Sequence, residues 1–375
     1  MIWIIICYVL LVGYIFLIAF YYRHWLAVTE FSGLSKDPST FISIIIPARN
    51  EAENIQRCLD SLFIQNYPSA KFEIIVVDDH SSDQTSVIVK RYDGVTLLEL
   101  KDMIDPGFQG STFKKLGIET AISQARGNLI ITTDADCVLP PYWLGTIENY
   151  YRQQKPALVA GPVRMVPGGS FLSIFQAIDF AILQGITAAS MQARFHPMGN
   201  GANLAYEKSV FLDLGGYRGD ELASGDDMLL IQKVATRYPA RVTYLKSKSA
   251  IVDTRPEPDW SHFFSQRIRW AGKTGRYKDP KLIWVWLGVY LLNLSLVIAF
   301  IYACFNPFYF TYLILLLLLK TGIEWKFVKE LLRFFDLQRL LKWFLPSQPV
   351  HIIYIVITGF LSRVSGTTWK GRHIK

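Results

Sequence analysis

Long uninterrupted apolar runs near the two ends of the chain enclose a middle region of shorter runs. Residues 1–22 contain no charged residue, and Arg23 and His24 follow them. A helix needs about 20 consecutive apolar residues to cross a bilayer core, and a cleaved signal peptide would have a basic start and a small-residue cleavage site. The pattern therefore predicts an uncleaved membrane anchor over residues 1–24, with Arg23 on the cytosolic side.

The middle of the chain alternates short apolar runs with segments of helical spacing. Near-continuous apolar residues predict buried strands at 41–47, 72–77, 95–100 and 129–133. Residues 51–63 have helical spacing, and Lys114 and Lys115 open a further helix. Strands of this kind that alternate with helices are typical of a parallel sheet covered on both faces. We expect an α/β domain over residues 38–278, built on a doubly wound, mostly parallel sheet.

Apolar segments return after residue 280. Residues 282–305 are long enough to span, and Pro307 begins a second run that ends at Lys320. Residues 324–345 interleave five basic residues with Phe, Leu and Trp, which is typical of an amphipathic helix lying in the membrane interface. Residues 350–361 are apolar but short, and fit either a tilted span or a re-entrant piece. We predict transmembrane and interfacial helices over residues 281–375.

Composition narrows the class of partner. Hydrophobic residues make up 51% of the 375 residues, and the formal net charge is +8. The charge fits a surface that faces anionic membrane lipid or a phosphorylated substrate, and equally a positive-inside bias of the loops. No basic stripe on a soluble domain points to nucleic acid. The four cysteines have no paired metal-ligand spacing, which favours a reduced, cytosol-facing compartment.

Carboxylates follow several of the predicted strands. Asp78 and Asp79 follow the second strand, and Asp134 and Asp136 follow the strand at 129–133. Alternation along a strand would point Asp134 and Asp136 to one side, and paired carboxylate oxygens suit Mg²⁺ or Mn²⁺. Any one of these loops alone also fits a turn or a helix cap. Together they predict a ligand site at the carboxyl ends of the strands.

These motifs resemble glycosyltransferase family 2, whose members have the GT-A fold. The resemblance covers residues 41–273, and the flanking spans match it as well. The segments that carry it are Ile46-Pro47-Ala48-Arg49-Asn50-Glu51, Val76-Val77-Asp78-Asp79-His80-Ser81, Lys114-Lys115, Asp134-Ala135-Asp136-Cys137, Gly199-Asn200-Gly201-Ala202-Asn203-Leu204-Ala205, Ser224-Gly225-Asp226-Asp227 and Gln266-Arg267-Ile268-Arg269-Trp270.

The resemblance implies a donor site for a nucleotide-sugar, expected to be a UDP-sugar. Asp134 would face the ribose or the metal, and Asp136 would ligate the Mg²⁺ or Mn²⁺ that bridges the diphosphate. Lys114 takes the place of a lysine near the nucleotide, although Phe113 stands where the family has glycine. The nucleotide pocket would be lined by Pro47, Arg49, Glu51, Asp78 and Asp79, of which Asp79 would bond the uracil edge.

The remaining motifs imply the acceptor chemistry. Asp226 resembles the general base that deprotonates the acceptor hydroxyl in an inverting reaction, and Asp227 is the alternative. Both also fit the acidic N-terminus of a helix. The Gln-x-x-Arg-Trp motif of Gln266, Arg269 and Trp270 offers diphosphate ligands and a flat face for an acceptor. An interfacial helix would also favour Arg and Trp.

Three functions are compatible with this sequence. The first is a membrane-bound, metal-dependent, inverting hexosyltransferase that glycosylates a lipid at the inner (cytoplasmic) membrane, with a multi-pass chain and a cytosolic catalytic domain. The Trp369-Lys370-Gly371-Arg372 tail resembles the lipid-modifying branch. The second is a processive polysaccharide synthase, similar to poly-N-acetylglucosamine or cellulose synthases, acting on a glycan. The third is an anchored binding protein without catalysis, which the intact carboxylates disfavour.

Overall fold

The computed structural model describes residues 2–34, 37–102, 113–217, 226–272, 279–364, 367–369 and 372–374. Its elements form two compact units that interleave along the chain. The α-helices in the described part are α1 (Ile2–Ala27), α2 (Ile55–Phe63), α3 (Thr85–Val89), α4 (Phe113–Gln124), α5 (Trp143–Gln154), α6 (Phe171–Ala193), α7 (Lys208–Asp213), α8 (Asp226–Arg237), α9 (Trp260–Gly272), α10 (Pro280–Phe305), α11 (Phe308–Phe334) and α12 (Phe344–Val364).

The strands are short, and most of them belong to one unit. This sheet unit comprises residues 28–164, 197–255 and 369–375. The strands of the whole chain, over the same described residues, are β1 (Ile42–Ala48), β2 (Phe72–Asp78), β3 (Val95–Glu99), β4 (Leu129–Thr132), β5 (Leu158–Ala160), β6 (Val163–Met165), β7 (Leu204–Glu207), β8 (Val242–Tyr244), β9 (Val252–Thr254), β10 (Thr367–Trp369) and β11 (Arg372–Ile374).

A seven-stranded sheet forms the core of the sheet unit. Its strand order is β3-β2-β1-β4-β7-β5-β8, with β7 antiparallel to both of its neighbours and the other pairs parallel. Ile44, Ile45 and Ile131 are completely buried at its centre, and burial of each such side chain contributes roughly 1.5–3 kcal/mol. The predicted α/β fold with a mostly parallel sheet is confirmed.

The pairing of β1 opens a notch at one end of the sheet. β1 pairs with β4 only as far as Ile45 and Thr132, but with β2 as far as Ala48 and Asp78. The predicted end of the first strand at Pro47 was one residue short, since β1 continues through the proline along β2. The two longer strands therefore extend past the end of β4, and the loops that follow all three surround the notch.

The second unit is helical and contains all of the long apolar helices. It comprises residues 1–27, 165–196 and 256–368. In the described part of the chain, five of its helical segments are long and apolar enough to cross a membrane: 5–27, 171–193, 280–305, 308–334 and 338–364. Side chains from α1, α10, α11 and α12 form one core, in which Leu11, Leu292 and Leu316 are buried. The predicted domain limits at residues 24, 38, 278 and 281 stay predictions.

Two sequence interpretations of this unit need correction. The sequence pattern did not reveal α6, because buried polar residues such as Gln176 and Asp179 interrupt its apolar run. Residues 324–345 are not a separate interfacial helix. The first part continues α11 to Phe334, and a 3₁₀ segment at Gln338–Trp343 then leads into α12.

A buried ion pair explains why α11 continues past Lys320. The Lys320 ammonium lies 2.7 Å from Oε1 of Glu324 and donates to Oε1 of Gln348, also at 2.7 Å. Gln348 donates to the other Glu324 oxygen at 2.9 Å, and the Tyr14 hydroxyl donates to Glu324 as well. Each charge is neutralised within the helical unit, so the charged pair does not end the helix. A second buried pair, Arg267 and Asp179, has a separation of 3.0 Å.

His196, just after α6, makes the helical unit sensitive to acid. It is 1% exposed, and its Nε2 lies 2.6 Å from the Tyr21 hydroxyl. Burial lowers the pKa of His196 to about 4. The unfolded chain binds a proton near pH 6.5 whereas the folded protein does not, so stability is present above that pH and is lost as the pH falls toward 4.

We expect thermal unfolding in detergent to report this loss. Between pH 7 and pH 5 the wild type should lose about 2 kcal/mol through this group. His196→Gln retains a hydrogen-bonding side chain but does not titrate, so it should lose less stability over the same interval by about that amount. Equal losses in the two proteins would contradict a neutral, buried His196.

Candidate active site

The loops that follow β1 and β2 are joined by side-chain hydrogen bonds to the backbone. The Asn50 amide donates to Oγ of Ser81 at 2.9 Å, and the Ser82 amide donates to Oδ1 of Asn50 at 2.8 Å. The Glu51 amide donates to the Thr85 hydroxyl at 2.8 Å. Asn50 thus joins the two loops instead of capping a helix. Helix α2 begins only at Ile55, four residues after the predicted start at residue 51.

Arg49 and Asp79 contact each other between these two loops. Nη1 of Arg49 donates to the Asp79 carbonyl at 2.6 Å and lies 3.7 Å from Oδ1 of Asp79. Their side chains are 13% and 6% exposed. Nδ1 of His80 lies 3.0 Å from the same Asp79 oxygen. A guanidinium and an imidazole therefore fix the orientation of the Asp79 carboxylate.

The other predicted residues of these loops have different surroundings. Asp78 is 1% exposed, and its Oδ2 accepts from the Ser81 amide at 3.2 Å, so the side chain shapes the turn. Pro47 lies in β1 opposite Val77. Oε2 of Glu51 accepts from the Asn54 side chain at 2.9 Å. The structure thus brings Pro47, Arg49, Glu51, Asp78 and Asp79 together at the carboxyl ends of β1 and β2.

Asp134 and Asp136 lie in the turn after β4, not on the strand itself. β4 ends at Thr132, and the Cys137 amide donates to the Asp134 carbonyl at 3.1 Å. Both aspartates are partly exposed, whereas Ala135 between them is 2% exposed. The prediction from alternation does not apply in a turn, and that the two carboxylates point to one side stays a prediction. Nζ of Lys114, at the start of α4, lies 4.0 Å from Oδ1 of Asp134.

Asp136 is oriented by two residues that the sequence did not indicate. Oγ1 of Thr254 donates to Oδ2 of Asp136 at 3.3 Å, and the Cys137 thiol lies 3.6 Å from Oδ1. Thr254 reaches this position because Val138 and Asp253 form a β-bridge. Groups that hold a ligating carboxylate in this way typically change metal affinity by about 10–100-fold. No local sequence signal could have identified a partner 118 residues away along the chain.

The donor set fits a hard divalent cation that is shared with a substrate. No group of three His, Cys, Asp or Glu side chains within the described residues could hold a metal by itself. Mg²⁺ and Mn²⁺ are commonly held by one or two carboxylates together with phosphate oxygens and water. The partly exposed Asp134 and Asp136 supply oxygen ligands of that kind, so these residues fit the predicted metal.

The predicted base region is described only in part. Ser224 and Gly225, and the side chain of Asp226, lie outside the described residues, while the backbone of Asp226 begins α8. Oδ2 of Asp227 accepts from the Gly201 amide at 3.1 Å, and its Oδ1 accepts from the Met228 amide at 2.8 Å. The Asp227 side chain therefore fixes the start of α8 to the segment before β7.

The Asn-containing segment before β7 is part of the same framework. Asn203 is 2% exposed, and its side-chain amide donates to the carbonyls of Pro162 and Ala250, each at 2.9 Å. Its Oδ1 accepts from Nε1 of Trp143 at 3.0 Å. Asn203 thus connects three segments of the sheet unit in its buried core.

Gln266, Arg269 and Trp270 belong to α9 of the helical unit. Nε2 of Gln266 donates to Oε1 of Glu257 at 2.6 Å. Arg267, between the motif residues, is 4% exposed and lies over the Trp270 ring, 4.4 Å from its centroid. Arg269 is partly exposed. The roles predicted for Gln266, Arg269 and Trp270 stay predictions.

The sheet is open and mostly parallel, and Asp134 and Asp136 follow β4 at its carboxyl edge. Residues 43–215 match the family model described as Glycosyl transferase family 2. The match contains the loops after β1 and β2 as well as Asp134 and Asp136. The match covers less than half of the 375 residues, and over this stretch the chain is similar to that family.

Similar proteins agree with this class. Glycosyltransferase AglE of Haloferax volcanii is 29% identical over 197 residues, which are 50% of this chain and 59% of AglE. Probable glycosyltransferase YdaM of Bacillus subtilis is 27% identical over 245 residues, 61% of this chain and 54% of YdaM. The chain thus spans less than two thirds of the length of these curated relatives.

A solved structure resembles the chain over nearly its whole length. Mannosyltransferase PcManGT from Pyrobaculum calidifontis, solved in complex with GDP-Man and Mn²⁺, aligns with a TM-score of 0.58 and 21% identity. The alignment covers 96% of this chain and 98% of PcManGT. At this level of identity the likeness establishes the fold, which is GT-A-like.

Proposed function

We propose that this protein transfers a sugar from a UDP-sugar to a lipid acceptor at a membrane, with inversion at the anomeric carbon. The observation that carries the proposal is the arrangement at the carboxyl edge of the sheet. Arg49 and His80 orient the Asp79 carboxylate there, and Asp134 lies 4.0 Å from the Lys114 ammonium. Asp136, two residues further on, supplies the second carboxylate.

The donor is held by the groups around the notch. Asp79 accepts a hydrogen bond from the nucleobase, and the Lys114 ammonium balances charge on the donor. A divalent cation held by Asp134 and Asp136 supplies charge neutralisation of the leaving diphosphate. PcManGT, which was solved with GDP-Man and Mn²⁺, supports a nucleotide-sugar and a divalent cation as ligands of this fold.

The acceptor hydroxyl gives its proton to Asp226 as its oxygen attacks the anomeric carbon. The new carbon–oxygen bond forms on the face opposite the diphosphate, and the bond to the diphosphate oxygen breaks with its electron pair. One base and no covalent nucleophile therefore give inversion. Asp227, which is bonded to the Gly201 amide, positions the start of α8 on which Asp226 lies.

A lipid acceptor is favoured by the apolar helices. In the described part of the chain, five helices are long and apolar enough to cross a membrane, which makes this a membrane protein in our account. We place the sheet unit in the cytosol at the inner membrane, because Arg23 and His24 follow the first apolar run. The free cysteines Cys7, Cys58, Cys137 and Cys304 agree with a reducing compartment.

The direct test is transfer of label from nucleotide-sugars. Membranes containing the protein are incubated with a panel of radiolabelled UDP- and GDP-sugars and Mn²⁺, and the lipids are then extracted and any polymer is sized. We expect label from a UDP-sugar in an organic-soluble product of one added sugar. Label in a high-molecular-weight polymer would instead establish the processive synthase. No transfer from any donor would contradict the proposal.

A further inference from the structure

His80 is a non-glycine residue in a backbone conformation that favours glycine. Its φ is +55°, in the left-handed region. Asn50, in the facing loop, also has a positive φ of +51°, and its side chain contributes to loop structure by accepting from the Ser82 amide. Glycine adopts this conformation without steric cost, whereas a side chain there is disfavoured. Such positions are concentrated at functional sites.

The side chain of His80 is fixed from two sides. Its Nδ1 lies 3.0 Å from Oδ1 of Asp79, and its ring packs edge-on against Phe113, with centroids 5.0 Å apart and planes at 72°. The imidazole is nevertheless 33% exposed. A rigid aromatic face therefore stands at the carboxyl edge of the sheet, beside the carboxylate that Arg49 orients.

The position of this pair relates it to the donor. Phe113 directly precedes Lys114, whose ammonium lies 4.0 Å from Asp134, and His80 directly follows Asp79. The two rings therefore bridge the loop after β2 and the start of α4. Aromatic rings that flank a carboxylate suit a planar heterocycle, because the ring faces stack on the base while the carboxylate accepts from its edge.

We infer that His80, supported by Phe113, forms the wall against which the donor's nucleobase stacks, and that it determines specificity for that base. This inference rests on the proposed function, since it assigns a role within the nucleotide site. Phe113 fixes the imidazole plane, and Asp79 fixes its rotation. Stacking of the nucleobase on the imidazole offsets the steric cost of the left-handed backbone at residue 80.

The test distinguishes the contribution of the nucleobase to binding from that of the diphosphate. The dissociation constants of UDP and of inorganic pyrophosphate are measured by calorimetry in Mn²⁺ for the wild type and for His80→Gly. Stacking on an aromatic side chain predicts about tenfold weaker binding of UDP, equivalent to about 1.4 kcal/mol. Pyrophosphate has no base, so its affinity should change by less than about twofold. Because glycine relieves the backbone, the Tm of His80→Gly should not fall.

Two further variants serve as controls. His80→Phe retains a flat ring and should bind UDP within about threefold of the wild type. His80→Asn tolerates the left-handed backbone but has no ring, so it should resemble His80→Gly. Wild-type UDP affinity in His80→Gly, or equal weakening of UDP and pyrophosphate, would overturn the inference alone. A wild type that does not bind UDP in Mn²⁺ would overturn the proposed function together with it.

Discussion

Asp226→Asn should lower turnover by about 10²–10⁴ while leaving the affinity for the UDP-sugar almost unchanged. Asparagine retains the size and hydrogen bonding of the side chain but cannot take the acceptor proton, and general-base catalysis contributes a factor of that order. The donor complex forms before the proton moves, so the donor dissociation constant should change by less than about threefold, or roughly 0.7 kcal/mol. Turnover is measured as release of UDP in the presence of acceptor lipid.

Asp227→Asn is the matched control, because it makes the same change one residue further on. Its carboxylate accepts from the Gly201 amide at 3.1 Å, which gives it a structural role at the start of α8. We expect a loss of turnover of less than about tenfold, because one hydrogen bond contributes about 0.5–1.5 kcal/mol. An inactive Asp227→Asn beside a normal Asp226→Asn would move the base by one residue. Normal activity in both would place the base elsewhere.

Asp136→Asn should lose donor binding as well as turnover. Asp136 is the carboxylate that Thr254 and Cys137 hold in place, and removal of groups that merely orient a metal ligand already costs about 10–100-fold in affinity. Loss of the ligand itself should therefore weaken Mn²⁺-dependent UDP binding by at least about 100-fold.

Asp60→Asn provides the control for loss of one negative charge in the same unit. Asp60 is exposed, and its Oδ1 accepts from the Tyr92 hydroxyl at 2.6 Å. This variant should bind UDP like the wild type. An Asp136→Asn protein that retains wild-type UDP affinity in Mn²⁺ would remove Asp136 from the site.

The sequence predicts the mostly parallel sheet, whereas the roles of the site residues stay predictions. Apolar strands that end in polar loops are a local signal, and parallel strands place their carboxyl ends at one edge. The structure has Arg49 against Asp79 and, as a separate contact, the Lys114 ammonium 4.0 Å from Asp134. The antiparallel β7 was not predicted, because a strand of four residues, Leu204–Glu207, depends on pairing with distant neighbours rather than on its own pattern.

In the helical unit, the sequence pattern alone does not predict where the helices end. Polar residues in the middle of helix α6 indicate, in the sequence, that the apolar run ends there. In the structure the helix continues, because Asp179 is paired with Arg267 at 3.0 Å. Likewise, Lys320 marked the predicted end of a span, whereas Glu324 neutralises it one turn further on. A hydropathy pattern treats each charged residue separately. In the folded unit these charges are buried as ion pairs, and which residues pair depends on the tertiary structure.

The sequence did not indicate the residues that support the site either, because their contacts also depend on tertiary structure. Thr254 donates a hydrogen bond to Asp136 although the two residues are far apart in the sequence. His80 differs from an ordinary turn residue only in its backbone angle and its contact with Phe113. Neither contact follows from composition or spacing. The role of Asp226 as the base stays a prediction that rests on the resemblance, and the backbone of this residue begins α8.

Calorimetric titration of the wild-type protein with UDP, in Mn²⁺ and again after chelation, tests the central claim most directly. If Asp134 and Asp136 hold a divalent cation that would neutralise the diphosphate, UDP should bind at one site per chain in Mn²⁺. Chelation should weaken that binding by at least about tenfold, since the two carboxylates would then face the diphosphate without a cation between them. Equal UDP affinity with and without the metal would contradict the account.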